Sequence, residues 1–433
     1  MFMQDQHENP NNGGREKLVS KLKRKYNKLV SDYEEKRARR DIIFTETITP
    51  QKVEEKPITL LRGGIDIQLV LTVFALIVFG AVMSLSASYV YAVQEYGDSM
   101  YFFKRYIFFA VASIAITAFF VAYARPLFWR LFGVGAYGIS IVLLLLVLVI
   151  GTTGGGAQRW IDFGFFTLQP SEIAKMAVVM MLALYMSQYE KEIKSVHVRG
   201  GSFKRGVLMP CMIIGVILML VMLEKHISGV IIIGLIGLSV MFMGGTHTKW
   251  LLAILGALAV AAGFLVLVSS YAQTRVDTWL NIDSADPLGP AWQTLQGLYA
   301  IGSGGLFGRG LGNSNQKYGY VSQPQNDFIF TIICEELGFV GAFIVVGLFA
   351  VLVYRGFKIA SRCPDKYLKL VAYGLTFKVA LQALLNIAVV TNSMPNTGVA
   401  LPFFSSGGSS LAVQIFEMGI LLSISRYSAE KKN

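Results

Sequence analysis

Cysteine, histidine and charge are the scarce components of this 433-residue chain. Its three cysteines and four histidines show no CxxC spacing and no Cys/His cluster, which excludes a disulfide framework and a structural zinc site. Charged residues make up only 15%, against about a quarter in an ordinary soluble domain. No GxxxxGK[ST] run occurs, so a phosphate-cradling P-loop is excluded. The first sixty residues are hydrophilic and show no cleavable leader pattern, so the first apolar span is expected to direct the chain to the membrane.

Apolar residues take up the remainder, at 54%, gathered into uncharged runs such as "GAYGISIVLLLLVLVI" and "LLAILGALAVAAGFLVLV". A helix needs about 20 such residues to cross roughly 30 Å of hydrocarbon. Ten spans are predicted, at 67–91, 106–124, 132–150, 172–188, 207–223, 229–244, 250–270, 338–354, 369–392 and 409–425. The expected fold class is therefore an all-α polytopic membrane protein. An even number of spans puts both termini on one side. Placing that side in the cytoplasm gives it 30 of the 39 Lys and Arg, 14 of them before residue 63, as the positive-inside rule requires. The net charge of +12 is then explained by contact with anionic membrane lipids, and no nucleic acid is expected. The chain divides into a basic tail (1–62), a membrane domain (63–427) and a short C-terminal tail (428–433). Leu18, Leu22, Tyr26, Leu29 and Tyr33 recur at helical spacing, as in an amphipathic helix over 15–41 or a solvated tail.

Polar residues inside or beside apolar spans are costly, and they mark candidate sites. The outer segments 151–171, 271–337 and 393–408 are the places where irregular backbone can line a wet cavity. Glu172 and Lys175, three apart on one helical face, form either a structural pair or part of an anion site. Lys378 lies near the middle of its span; its buried partner is Glu417 or the Glu335/Glu336 pair, unless it meets substrate. Glu224 and His226 sit in a short turn between spans, where a solvated tip is the simpler reading. Asp327 stands alone at the head of "DFIFTIICEELG", where it or Asn326 is placed to cap the following helix.

Several motifs in order, "GAQRWI", "QPSEIAK" (169–175), "GSGGLFGRGLGNS" (302–314), "NDFIFTIICEELGFVG" (326–341) and "NTGVALPFFSSGGSSL" (396–411), make residues 65–427 resemble the SEDS proteins of bacterial shape, elongation, division and sporulation, which include FtsW, RodA and SpoVE. The resemblance implies a peptidoglycan glycosyltransferase that polymerises lipid II into a nascent glycan strand at the outer leaflet of the cell membrane. It implies work beside a class B penicillin-binding protein and divisome proteins. The family's essential aspartate maps onto Asp327, the implied general base. Such a reaction expels a diphosphate, which needs positive charge; Arg159, Lys175, Lys378, Arg309 and Lys317 are the candidates. Glu172, Gln325, Asn326 and Ser406 complete the expected substrate-contacting set. No cofactor is required outright, though a divalent cation, Mg or Mn, held by Asp327 and the diphosphate fits the chemistry. This chain departs from many relatives at Ser322, Gln323 and Asn326, where they carry proline, glutamate and threonine, so it has one acid fewer near Asp327. A lipid II flippase, an elongation polymerase of the RodA kind and a silent scaffold are the alternative functions.

Overall fold

The computed structural model describes residues 63–154, 157–164, 166–194, 203–282 and 291–427, all within one compact unit (57–433). The expected tail helix at 15–41 and the C-terminal tail lie outside the described residues. Ten helices are long and apolar enough to cross a membrane: α1 (Ile67–Tyr96), α2 (Tyr101–Tyr123), α3 (Pro126–Ile150), α4 (Pro170–Gln188), α5 (Lys204–Leu223), α6 (Ile227–Gly244), α7 (Thr248–Val268), then, after two shorter helices α8 (Ser270–Leu280) and α9 (Trp292–Gly304), α10 (Ile329–Arg362), α11 (Lys366–Val390) and α12 (Gly408–Ser425).

Local chemistry sets their ends. Asp66 caps α1 by accepting from the Leu69 amide at 2.9 Å, and Asp365 caps α11 through Leu368 in the same way. Pro126 and Pro170 open α3 and α4, where a missing amide hydrogen costs nothing. The Gly63 amide donates to the Arg426 carbonyl at 2.7 Å, so the start of the membrane domain is tied to its end on one face.

The helices sort by polarity in the reverse of a water-soluble protein. α4, which carries Glu172 and Lys175, packs against α3, α5, α6 and α11, with 78% of its most apolar window buried. α7, without a charge beyond its first turn, is 6% buried and touches chiefly α6 and α8. Lipid is as good a solvent for Leu as a core is, so burial here follows polarity and side-chain size, not hydrophobicity. At the α4–α11 crossing, a Cβ on Gly374 would stand 2.5 Å from a Val179 methyl.

Two parts of the outer segments were not foreseen. Between α3 and α4 lies a small antiparallel sheet, β1 (Thr152–Gly154), β2 (Ala157–Asp162) and β3 (Thr167–Leu168), in the order β1-β2-β3. The long segment after α7 holds α8 and α9. The expected span at 338–354 is the second part of α10, which breaks at Gly338 (φ 67°, ψ −163°), a conformation open to glycine alone. The freed Glu335 and Glu336 carbonyls accept from the amides of Arg309 and Gly310, while Phe339 and Val340 donate to Gly305 and Leu306. Four backbone bonds thus tie the two sides of the break to residues 305–310. The break leaves Ile329–Leu337 as a separate buried half-helix.

Candidate active site

The segment 321–328 is fixed by the turn that precedes α12. Ser406 donates from its amide to the Gln325 carbonyl (3.0 Å) and from its hydroxyl to Asn326 Oδ1 (2.8 Å), and Ser405 Oγ donates to the Asn326 carbonyl (2.7 Å). Asn386 of α11 donates from one Nδ2 to two backbone oxygens, those of Asp327 and Val399, each at 2.7 Å. One buried amide thus joins the two loops that meet at Asp327. The 391–398 stretch is held further by Trp279, whose Nε1 donates to Asn392, and by bonds from Arg275 to the Asn396 carbonyl and from Ser228 to the Thr397 carbonyl. Gly398 (φ 63°) backs the carboxylate: a Cβ there would lie 3.4 Å from Asp327 Oδ2.

Asp327 itself does not cap a helix. α10 starts at Ile329 with Phe328 in the cap position and no side-chain cap bond, which corrects the capping expectation; the Asp327 carboxylate accepts from its own amide instead. It is half-buried. Burial lifts its pKa above the ordinary carboxylate value, and its own amide, Arg159 on β2 and Arg275 on α8 moderate the rise. Arg159 and Arg275 are the positive charges that the fold brings to this carboxylate.

The other expected site residues separate into three groups. Asn326 is committed to the loop: Nδ2 donates to Gln323 Oε1 at 2.7 Å while Oδ1 accepts from Ser406. Asn326 and Ser406 therefore act as loop fasteners. Gln325 is buried, with its Oε1 lacking a protein partner among the described residues.

Glu172, Lys175, Lys378 and Glu417 form a buried quartet between α4, α11 and α12. Lys175 Nζ stands 2.6 Å from Glu172, and Lys378 Nζ stands 2.6 Å from Glu417 and 3.8 Å from Glu172. Of the two partners expected for Lys378, the fold selects Glu417. Two cations and two anions cancel, which is what makes charge tolerable at this depth. Lys378, Gln382 and Asn386 follow at four-residue spacing on α11, so one polar stripe runs from the quartet to the backbone of Asp327. His226 lies in the field of Arg159, Glu172 and Lys175; burial first and the two cations next push its pKa down to about 4, so it is neutral at pH 7. His226 and Glu224 are buried, not a solvated tip. Burial pushes Glu224 up to about 8.

The third group gathers Lys317 and Arg309 around Glu336 and Glu335. The buried Lys317 ammonium stands 3.0 Å from Glu336 and donates to the Gly312 carbonyl at 2.6 Å. Glu336 also accepts from Ser86 Oγ. Glu335 accepts from the Asn315 amide at 2.9 Å and from Ser314 Oγ, and Arg309 approaches it at 3.6 Å. These contacts fasten the glycine-rich segment 308–317 to the half-helix. Among the described residues no group of three or more His, Cys, Asp or Glu is placed to hold a metal ion.

Arg275, Asn386 and Gly398 were missed from sequence. Arg275 and Gly398 give no local signal, but Asn386 could have been found, as the third polar residue of a four-residue repeat in an apolar span.

A ten-span bundle of this kind has counterparts among known proteins. The profile of the family described as "Cell cycle protein" (FtsW/RodA/SpoVE) matches residues 67–430. Stage V sporulation protein E of Bacillus subtilis is 38% identical over 84% of this chain and 97% of its own. A probable peptidoglycan glycosyltransferase FtsW of Trichlorobacter lovleyi is 37% identical over 83% and 93%. Among solved structures, a chain of a peptidoglycan synthase complex superposes with a TM-score of 0.70 at 26% identity, covering 85% of this chain and 99% of that one. The rod shape determining protein RodA of Thermus thermophilus gives 0.62 at 25%, covering 85% and 98%. With the match spanning every membrane helix, the chain belongs to the FtsW/RodA/SpoVE family of SEDS proteins.

Proposed function

We propose that this protein is a peptidoglycan glycosyltransferase that polymerises lipid II at the outer leaflet of the bacterial cell membrane, with Asp327 as general base. The observation that carries the reading is the Asp327 carboxylate itself: half-buried, raised in basicity, and flanked by Arg159 and Arg275. The 4-hydroxyl of an acceptor GlcNAc attacks the anomeric carbon of a donor MurNAc. The new C–O bond forms as the bond to undecaprenyl diphosphate breaks, and Asp327 takes the hydroxyl proton. Arg159 and Arg275 oppose the charge that develops on the diphosphate. One displacement inverts the anomeric carbon, so no second, nucleophilic carboxylate is needed. A divalent cation bound here would be held by Asp327 and the diphosphate oxygens and would supply further charge neutralisation.

A carrier reading would require Lys175 and Lys378 to meet substrate from both sides in turn; their pairing with Glu172 and Glu417 favours the enzyme. A division role beside divisome proteins is supported by the family's description as cell cycle proteins, and a crosslinking partner, a class B penicillin-binding protein, by the likeness to a chain of a peptidoglycan synthase complex that couples polymerization and crosslinking. The orientation, with both ends cytoplasmic, follows the charge distribution. Purified with its cognate penicillin-binding protein, the wild type is expected to extend lipid II into glycan strands and Asp327→Asn is not. Strand synthesis by the Asn variant at the wild-type rate would refute the general-base assignment.

A further inference from the structure

On the face that carries both ends of the membrane domain, the start of α1 and the ends of α10 and α12 enclose a cleft of about 810 Å³. It is on the opposite side of the spans from Asp327 and plays no part in the chemistry above. Its charged lining is unbalanced. Arg355, Lys358 and Arg362 face it from α10, and Asp66 is the one carboxylate in the lining. Spacings of three and four residues put the three cations on one side of the last two turns of α10, at the depth where a helix leaves hydrocarbon for headgroups.

Asp66 is taken by Arg355, and Arg355 Nε remains buried with no partner among the described residues. The Lys358 ammonium lies over the Tyr354 ring at 5.4 Å, and neither Lys358 nor Arg362 forms an ion pair with a described residue. The cleft wall continues into apolar side chains, Ile65, Ile67 and Ile424, of which Ile67 is 67% and Ile65 44% exposed. The result is a cationic floor beside an apolar edge that faces the bilayer.

We propose that this cleft binds the phosphodiester headgroup of an anionic phospholipid, with Lys358, Arg362 and Arg355 on the phosphate and an acyl chain along Ile65 and Ile67. The apolar edge selects a lipid over free phosphate, which would use the cations alone. A bound headgroup bridges the ends of α10 and the start of α1, so it also stabilises the fold.

The test uses the full-length protein in neutral detergent, where no charged surface obscures site binding, titrated with phosphatidylglycerol and followed by native mass spectrometry. Lys358→Gln/Arg362→Gln is expected to weaken binding roughly 30-fold, about fivefold per basic side chain. Lys249→Gln/Lys369→Gln, which removes the same charge outside the cleft, is expected to change it less than about twofold. Phosphatidylglycerol should raise the Tm of the wild type and phosphatidylcholine should not, a comparison that needs no variant. Equal losses in the two double variants, equal binding of phosphatidylcholine, or full displacement of the lipid by an equal concentration of inorganic phosphate would each overturn the proposal.

Discussion

Asp327 and the Glu335–Glu336 pair stand eight residues apart at the two ends of one buried half-helix, and their surroundings differ in kind. Both glutamates are fully buried, and backbone amides, serine hydroxyls, Lys317 and Arg309 meet their carboxylates. Asp327 is half-buried, its backbone carbonyl is held by Asn386, and the charges that act on its carboxylate are those of Arg159 and Arg275. A saturated acid cannot gain a proton or a partner without losing one it has. An acid held through its backbone, as Asp327 is by Asn386, can do both. The difference separates fastening from chemistry within about two turns' length of chain.

The largest effect should come from Asp327. Asp327→Asn should lower lipid II polymerisation by about 10²–10⁴-fold while the Tm stays at the wild-type value, read by strand assay and thermal shift on the same sample. The opposite pattern is expected at the other end of the half-helix. Glu336→Gln leaves the Lys317 ammonium buried without its anion and should cost about 3–5 kcal/mol of stability, with the folded fraction retaining its activity; an unchanged Tm would show that Lys317 does not depend on Glu336.

Asn386→Ala tests whether the frame around Asp327 matters on its own. It removes both donors to the Asp327 and Val399 carbonyls, at a cost of about 1–3 kcal/mol for the stranded acceptors, and activity should fall more than stability explains. In pH profiles, activity should decline on the acid side above the ordinary carboxylate pKa of about 3.9, because the base must be ionised and burial raises it. A limb at the ordinary value would place the base in a solvated setting.

The smallest effect concerns a third acid. Glu224 stays protonated in the folded protein until about pH 8, whereas in the unfolded chain it ionises near pH 4.3. Between those values the unfolded state binds fewer protons, so stability falls as pH rises. Glu224→Gln should remove that slope, so that the variant's Tm gains on the wild type's as the pH rises from 5 to 8.

The ten spans were legible because the bilayer imposes a length and an apolar composition on every crossing, and the observed ends moved by only a few residues from most of those expected. The small sheet between α3 and α4 was not legible, since its strands are two to six residues long, too short to show an alternating pattern. α8 and α9 were hidden for a related reason: they lie outside the hydrocarbon and lack its signature. At the site, Asp327, Arg159 and the Glu172–Lys175 pair could be named from residue type and spacing. The use of Lys317 could not, because a lysine aimed at substrate and one buried against Glu336 have the same local sequence. The choice of Glu417 for Lys378 depended on how α11 meets α12, which no single span records.

The reversed sorting of polarity between α4 and α7 bears on protein engineering. To make this protein soluble without detergent, a designer would repaint α7 first: Phe264, Leu267 and Val268 are each more than 65% exposed, and polar replacements there touch little of the interior. The same edits on α4 would strike Met176, Val179 and Leu182, all at 4% exposure or less. A hydropathy plot would direct the work to the right helix, since in this molecule the most apolar sequence is the one that the fold depends on least.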